Sequence, residues 1–194
     1  MMFNRFTYLL ITMVISTQTL ATNNLETHHH VKTHNINEVM NQFELVGTGT
    51  FSVLFWDLYQ GKLLSTSGGY PVNFEKEQLI YQIDYFVNIS QDELIKRTIE
   101  QWQHLAIKQD KYEKYLSQLE QIWPNVNEND QLLLMVQQGR SAFYFNQQYI
   151  GEIDSHEFGQ MFIDIWLSEK TSQPKFRQAL LGKGALEIGA NSND

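Results

Sequence analysis

The sequence predicts an α+β fold, a largely antiparallel sheet with helices packed on one side. Three observations predict it. Alternating apolar runs come in groups, at 47–65 and 78–88 and again at 131–153. Stripes at helical spacing also come in groups, over 90–122 and 154–182. Strands gathered in runs and joined by short turns fit an antiparallel sheet rather than the strand-helix alternation of a parallel one. No repeat or second domain interrupts the 194 residues, and that length holds one domain with a sizeable core. A hydrophobic content of 42% argues for a packed globule over a disordered chain.

The organising stretch is 47–65, GTGTFSVLFWDLYQGKLLS. Phe51, Val53 and Phe55 share one face, and Leu54, Trp56 and Leu58 the other. This reads as one long strand, buried on both faces and central in the sheet. Gly47 and Gly49 suit a tight entry, and Gly61 a bend or bulge. In 78–88, Leu79, Tyr81, Ile83, Tyr85 and Val87 alternate onto one face, while Ile80, Gln82, Asp84 and Phe86 take the other. This is a half-buried strand. Residues 131–137, 141–146 and 149–153 form a meander joined by turns at Gly139 and Asn146.

Ser90 and Glu93 make an S-x-x-E capping box that opens a helix over 90–105, with Leu94, Thr98, Trp102 and Leu105 in its stripe. A second helix covers 110–122 and stops before Pro124. Asp154 and Glu157 read as a further capping box ahead of Phe158, Phe162, Ile165 and Trp166. Ser172 reads as the cap of a last helix, with Pro174 in its first turn and Gly182 at its end.

The first residues lie outside this fold. Arg5, the apolar run 8–15 (YLLITMVI) and the small-residue end at Ala21 have the layout of a secretory signal over 1–21. That run falls short of the ~20 residues of a membrane span. Residues 22–37 read as a flexible polar linker, 38–182 as the folded domain and 183–194 as a flexible tail. Removing 1–21 takes away Arg5 and no acid, so the formal charge goes from −8 to −9. An acidic protein of this kind repels phosphate backbones, which argues against a nucleic-acid partner, and it repels anionic membranes. No stable membrane insertion is expected after signal removal. The chain has no cysteine, which excludes disulfides, thiolate chemistry and lipidation after the leader. Leader and composition together point to a periplasmic monomer.

Four of the six histidines, His28, His29, His30 and His34, sit in the polar lead-in. A metal-scavenging tract and a solvated linker are both open there, and the linker is favoured because nothing orients the rings. No phosphate loop, nucleophile elbow or zinc motif occurs, so no cofactor and no metal are expected. His104 reads as a helix-boundary residue and His156 as a structural one. Asp84 stands among Ile83, Tyr85 and Phe86, where a carboxylate needs a partner or water. Arg97, on the helix that follows, is a candidate partner. Its guanidinium would fork a ligand carboxylate while Asp84 holds it in the empty site; the alternative is an Arg97 that faces solvent. Asp84, Tyr85, Arg97 and Trp102 are thus the candidate ligand-binding residues of a sheet-helix cleft. Trp56, Tyr59, Tyr81 and Trp166 read as core, with some lining such a pocket.

Several stretches in this order and spacing resemble the chalcone isomerase-like family, specifically its bacterial exported branch: 47–63, 81–102 (YQIDYFVNISQDELIKRTIEQW), 123–136, 143–171 and the RQALLG of 177–182. The resemblance implies an open-faced β-sandwich with a large antiparallel sheet covered by helices. Plant enzymes of the family close a flavanone ring with an arginine and a threonine on the strand resembling 47–63, and a tyrosine and an asparagine beyond it. Here that strand has no arginine, Thr48 and Thr50 precede its apolar body, and the start of the helix at 90–105 has no tyrosine. No catalytic residue carries over. Family members without that set look like fatty-acid binders. The expected function is therefore non-enzymatic binding of an apolar or amphipathic small molecule, a fatty acid among the candidates. One alternative is an isomerase or intramolecular lyase acting on a conjugated carbonyl, with Arg97 or Arg140 as the required cation. Another is a partner-binding module of the envelope.

Overall fold

The computed structural model describes residues 36–183. Six strands run in order β1 Glu44–Val53, β2 Trp56–Ser65, β3 Leu79–Tyr85, β4 Gln131–Gln137, β5 Arg140–Phe145 and β6 Gln148–Asp154. Each pairs antiparallel with its sequence neighbours, giving one sheet of order β1-β2-β3-β4-β5-β6. The helices are α1 Ile36–Met40, α2 Gln91–His104, α3 Gln109–Ile122, α4 His156–Leu167 and α5 Pro174–Leu180. The α+β class and the antiparallel sheet are as the sequence predicts.

The expected single strand at 47–65 is two strands. The chain reverses at Leu54-Phe55, with Val53 paired to Trp56, and β1 becomes an edge strand. A two-residue turn alone would invert the alternation, because Val53 and Trp56 come to share a face; the bulge that leaves Leu58 unpaired restores it, so Gly47, Gly49 and Phe51 share a face with Tyr59, Gly61 and Leu63 as they would in one continuous strand. Length does separate the two cases. A 19-residue strand would run roughly 60 Å, whereas strands in globular proteins seldom pass about 10 residues.

The pleat sorts side chains to two faces. Leu63, Tyr81, Leu134 and Phe143 lie on one face, aligned across four strands and buried under α2 to α5. Ile80, Leu133, Met135, Ala142 and Tyr144 form a smaller cluster on the other face, closed by Ile36 and Phe43. Ile36 is fully buried there, so the fold starts two residues inside the stretch read as linker. The leader, the histidine tract and the residues after 183 lie outside the described residues.

Gly61 and Gly49 do not bend the first hairpin, and Gly47 adjoins a register shift after Leu45. Gly49 faces Gly61 in a regular part of the ladder, and α5 lies against both strands. A Cβ on Gly47 would press on the carbonyls of Ala179 and Leu180 and come within 2.6 Å of the Gly182 nitrogen; one on Gly61 would come within 2.8 Å of the Phe176 ring. The missing side chains let the last helix rest on the backbone of the sheet.

Two caps differ from expectation. Ser155, not Asp154, is the N-cap of α4, and it makes no capping bond; its hydroxyl meets that of Tyr115 at 2.6 Å instead. Gln173 precedes α5, while the Ser172 hydroxyl donates to Gln101 of α2 at 2.7 Å. In both places a tertiary partner outbids the local one. Ser90 does cap α2, accepting from the Glu93 amide at 3.2 Å.

Gly47→Ala should destabilise the protein by about 1–3 kcal/mol, the cost of overpacking against backbone that cannot rotate away. Gly69→Ala, where an added Cβ meets nothing within 4 Å, is the control. Urea unfolding midpoints of the two variants check this; equal midpoints would contradict the close docking of α5.

Candidate functional site

The helices leave one end of the sheet incompletely covered. A cavity of about 890 Å³ lies there, bounded by the β1–β2 tip, the end of β3, the first half of α2 and the second half of α4. Its inner wall is apolar and aromatic: Phe51, Tyr59, Ile83 and Tyr85 from the sheet, Trp123 and Leu132, and Phe162, Ile165 and Trp166 from α4. Each element supplies these side chains by its own period. Ile83 and Tyr85 are alternate residues of β3, and Phe162, Ile165 and Trp166 stand at i, i+3 and i+4 on α4. Phe51 stacks on Tyr59 at 5.0 Å.

The polar groups of the wall are mostly satisfied within the protein. Trp166 Nε1 donates to the Tyr59 hydroxyl at 2.9 Å. The Thr98 hydroxyl donates to the Leu94 carbonyl at 2.8 Å, and Ser172 to Gln101 as above. Burial pushes the Tyr59 hydroxyl far up, against the bonds from Trp166 and Tyr81, and burial does the same to Tyr85. Both phenols stay neutral across the physiological range, so the inner cavity carries no charge.

Charge is confined to the mouth. Arg97 Nε donates to Glu93 at 2.7 Å and its Nη1 to Glu100 at 2.9 Å, with the side chain 63% exposed. Glu100 and then Glu93 raise its already high pKa. The guanidinium is thus committed to two acids of its own helix.

The four candidate residues divide. Tyr85 and Arg97 line the cavity. Asp84 does not, because the pleat sends it to the opposite face. There it pairs with Lys62 at 2.9 Å and accepts from Gln82 at 3.0 Å and Gln131 at 2.8 Å. The expected Asp84–Arg97 pair is absent: the sheet itself stands between them. Trp102 is fully buried beyond the cavity, donating to the Met161 carbonyl at 3.1 Å and stacking on Tyr112. Of the residues read as core, Trp56, Tyr59 and Trp166 reach the cavity and Tyr81 does not. Thr98, Gln101 and Phe162 are wall residues that sequence reasoning missed, although the α2 stripe already held the first of them. Arg140 opens β5 and is not part of the wall. The cation that a carbonyl-activating reaction needs is therefore not free at this site: one arginine is neutralised and the other is elsewhere. Among the described residues, no group of three or more His, Asp or Glu gathers as a metal site would require.

A family model described as chalcone isomerase-like matches residues 22–182. The chain belongs to the chalcone isomerase-like family. Among solved structures it is similar to a fatty-acid binding protein of Arabidopsis thaliana, with a TM-score of 0.56 and 11% identity, covering 76% of this chain and 91% of that one. At that identity the likeness is one of fold. No curated protein matches the sequence. Membership confirms the resemblance drawn from the segments between 47 and 182, and the shared open sheet confirms the fold it implied.

The Asp84 network sets a pH dependence. Burial works to raise its pKa, but Lys62, Gln131 and Gln82 together lower it below the ordinary value. An acid whose folded pKa is depressed stabilises the fold above its unfolded pKa, and that contribution is lost as pH falls from about 4 through the folded value. The pair is partly exposed, so the loss is on the order of 1 kcal/mol or less. Unfolding midpoints at pH 7 and pH 3 should fall less in Asp84→Asn than in the unaltered protein; an equal fall would mean the network contributes nothing.

Proposed function

We propose that the protein is a non-enzymatic binder of an apolar or amphipathic small molecule, held with its apolar body in the cavity between the sheet and α2 and α4. The observation that carries this is the cavity itself: about 890 Å³, aromatic inside and charged only at its mouth. A pocket of that size and lining suits a ligand of drug or lipid size. The fold shared with a fatty-acid binding protein supports the reading. A fatty acid is one member of the class. Its chain would lie along Ile83, Phe162 and Ile165, leaving its carboxylate at the mouth near Asn88, Ser90 and Arg97. Since Glu93 and Glu100 already occupy the guanidinium, the site selects on apolar body more than on head-group charge. The signal-like leader at 1–21 supports placing this binding in the periplasm.

Nile red, a neutral apolar probe, should bind the protein with enhanced emission. Leu94→Trp, which puts a large ring at the cavity mouth, should weaken that binding at least about tenfold, the scale of one well-buried apolar contact. Undiminished affinity in a folded Leu94→Trp variant would overturn the reading. Arg97→Ala should change the affinity ratio between palmitic acid and hexadecanol less than about threefold, because removing an internally neutralised cation costs little. A loss of tenfold or more confined to the acid would restore Arg97 as a carboxylate fork. Protein recovered from a periplasmic extract should begin at Thr22, and N-terminal sequencing checks this; a retained leader would refute the exported placement.

A further inference from the structure

The tip of the β1–β2 hairpin packs little against the interior. Leu54 is 87% exposed, Phe55 97% and Trp56 73%. Phe86, at the adjoining end of β3, is also exposed. A two-residue hairpin turn is ordinarily Asn-Gly, Asp-Gly or Gly-X, because its first position requires a positive φ. Here that position is Leu54 at φ 56°, a conformation that L side chains with bulk adopt reluctantly. Neither packing nor turn chemistry accounts for Leu-Phe-Trp at this point.

From this tip we infer that the protein docks on the surface of an uncharged, zwitterionic lipid bilayer, with Leu54, Phe55 and Trp56 entering the interfacial layer beside the cavity mouth. The inference goes beyond the binding reading and joins it at one place: Leu54 and Trp56 are also wall residues of the mouth. An apolar ligand could then pass between bilayer and cavity without crossing water. The occupant is argued from shape and charge. Three or four side chains on a protruding turn fall well short of the ~800 Å² per partner of a stable protein interface. A wedge of Trp, Phe and Leu is what the interfacial region of a membrane accepts. Asp57, braced by the Ser52 hydroxyl at 2.5 Å, sits at the base of the tip, and the whole chain is acidic. An anionic surface would repel both. No described helix is long and apolar enough to cross a membrane, so the contact is peripheral.

Tryptophan emission reads this contact directly. Trp102 and Trp123 are buried and Trp166 is half-buried, which leaves Trp56 as the exposed reporter of the four. The form to use begins at Thr22, which keeps every described element and removes the apolar leader. With phosphatidylcholine vesicles the emission should shift to the blue, and the protein should float with the vesicles equally at low and high salt. Phe55→Ser should lower the partition coefficient about tenfold, and Phe55→Leu should keep most of it. Phe55 is not a wall residue, so Nile red binding from water should persist in both variants. No blue shift with phosphatidylcholine, equal partition of Phe55→Ser, or a requirement for phosphatidylglycerol would overturn the inference. So would a concentration-dependent dimer in sedimentation that Phe55→Ser abolishes, since the tip would then meet a second copy. Nile red tests the cavity separately: its failure to bind would leave the docking result standing.

Discussion

Everything on the helical side depends on the alternation along β3. Leu79, Tyr81, Ile83 and Tyr85 present one continuous apolar row. Neighbouring strands must match its pleat to keep their own large residues dry. That row fixes which face the helices cover and which side chains can see the cavity. Asp84 and Gln82, one residue out of phase, are carried to the far side with Lys62. One residue of register therefore separates a ligand wall from a hydrogen-bonded polar cluster.

The cavity is the consequence of partial cover. At one end of the face, α5 rests on backbone made bare by Gly47, Gly49 and Gly61, and nothing as large as a ligand fits beneath it. At the other end α2 and α4 approach over larger residues, and the space they leave above Ile83 and Tyr85 is the cavity. In the closed region Trp102 packs edge to face on Phe158 and Phe162, and those two rings stack on each other. Such packing resists collapse into the open one. The same residue types thus make solid core in one place and pocket wall a few residues on. Neutral phenols join Thr98, Gln101 and Ser172 as the polar groups of the wall.

Much of this was legible. The strands of β3 to β6 and the helices α2 to α5 follow from period and punctuation, and the family from the order of segments. The first hairpin was not legible from alternation, because the two-residue turn and the bulge at Leu58 together preserve it and the turn lacks the usual glycine. The roles of Gly47, Gly49 and Gly61 were hidden for a related reason: a glycine kept for close approach looks, in sequence, like one kept for a bend. Arg97 was legible in part. Glu93 and Glu100, at i−4 and i+3, stood ready to claim it, and that local geometry outweighed the longer reach to Asp84.

By itself the sequence determined β3 to β6 and α2 to α5, their order, and the acidic, cysteine-free composition, since these follow from local periods and residue counts. Only the tertiary structure decided which apolar residues are core, which line the cavity and which stand in solvent. Phe55, Phe162 and Trp102 are alike in hydrophobicity, and one is bare, one is wall and one is sealed. The difference lies in where the covering helices stop, and that distance is set by contacts between residues far apart in the chain.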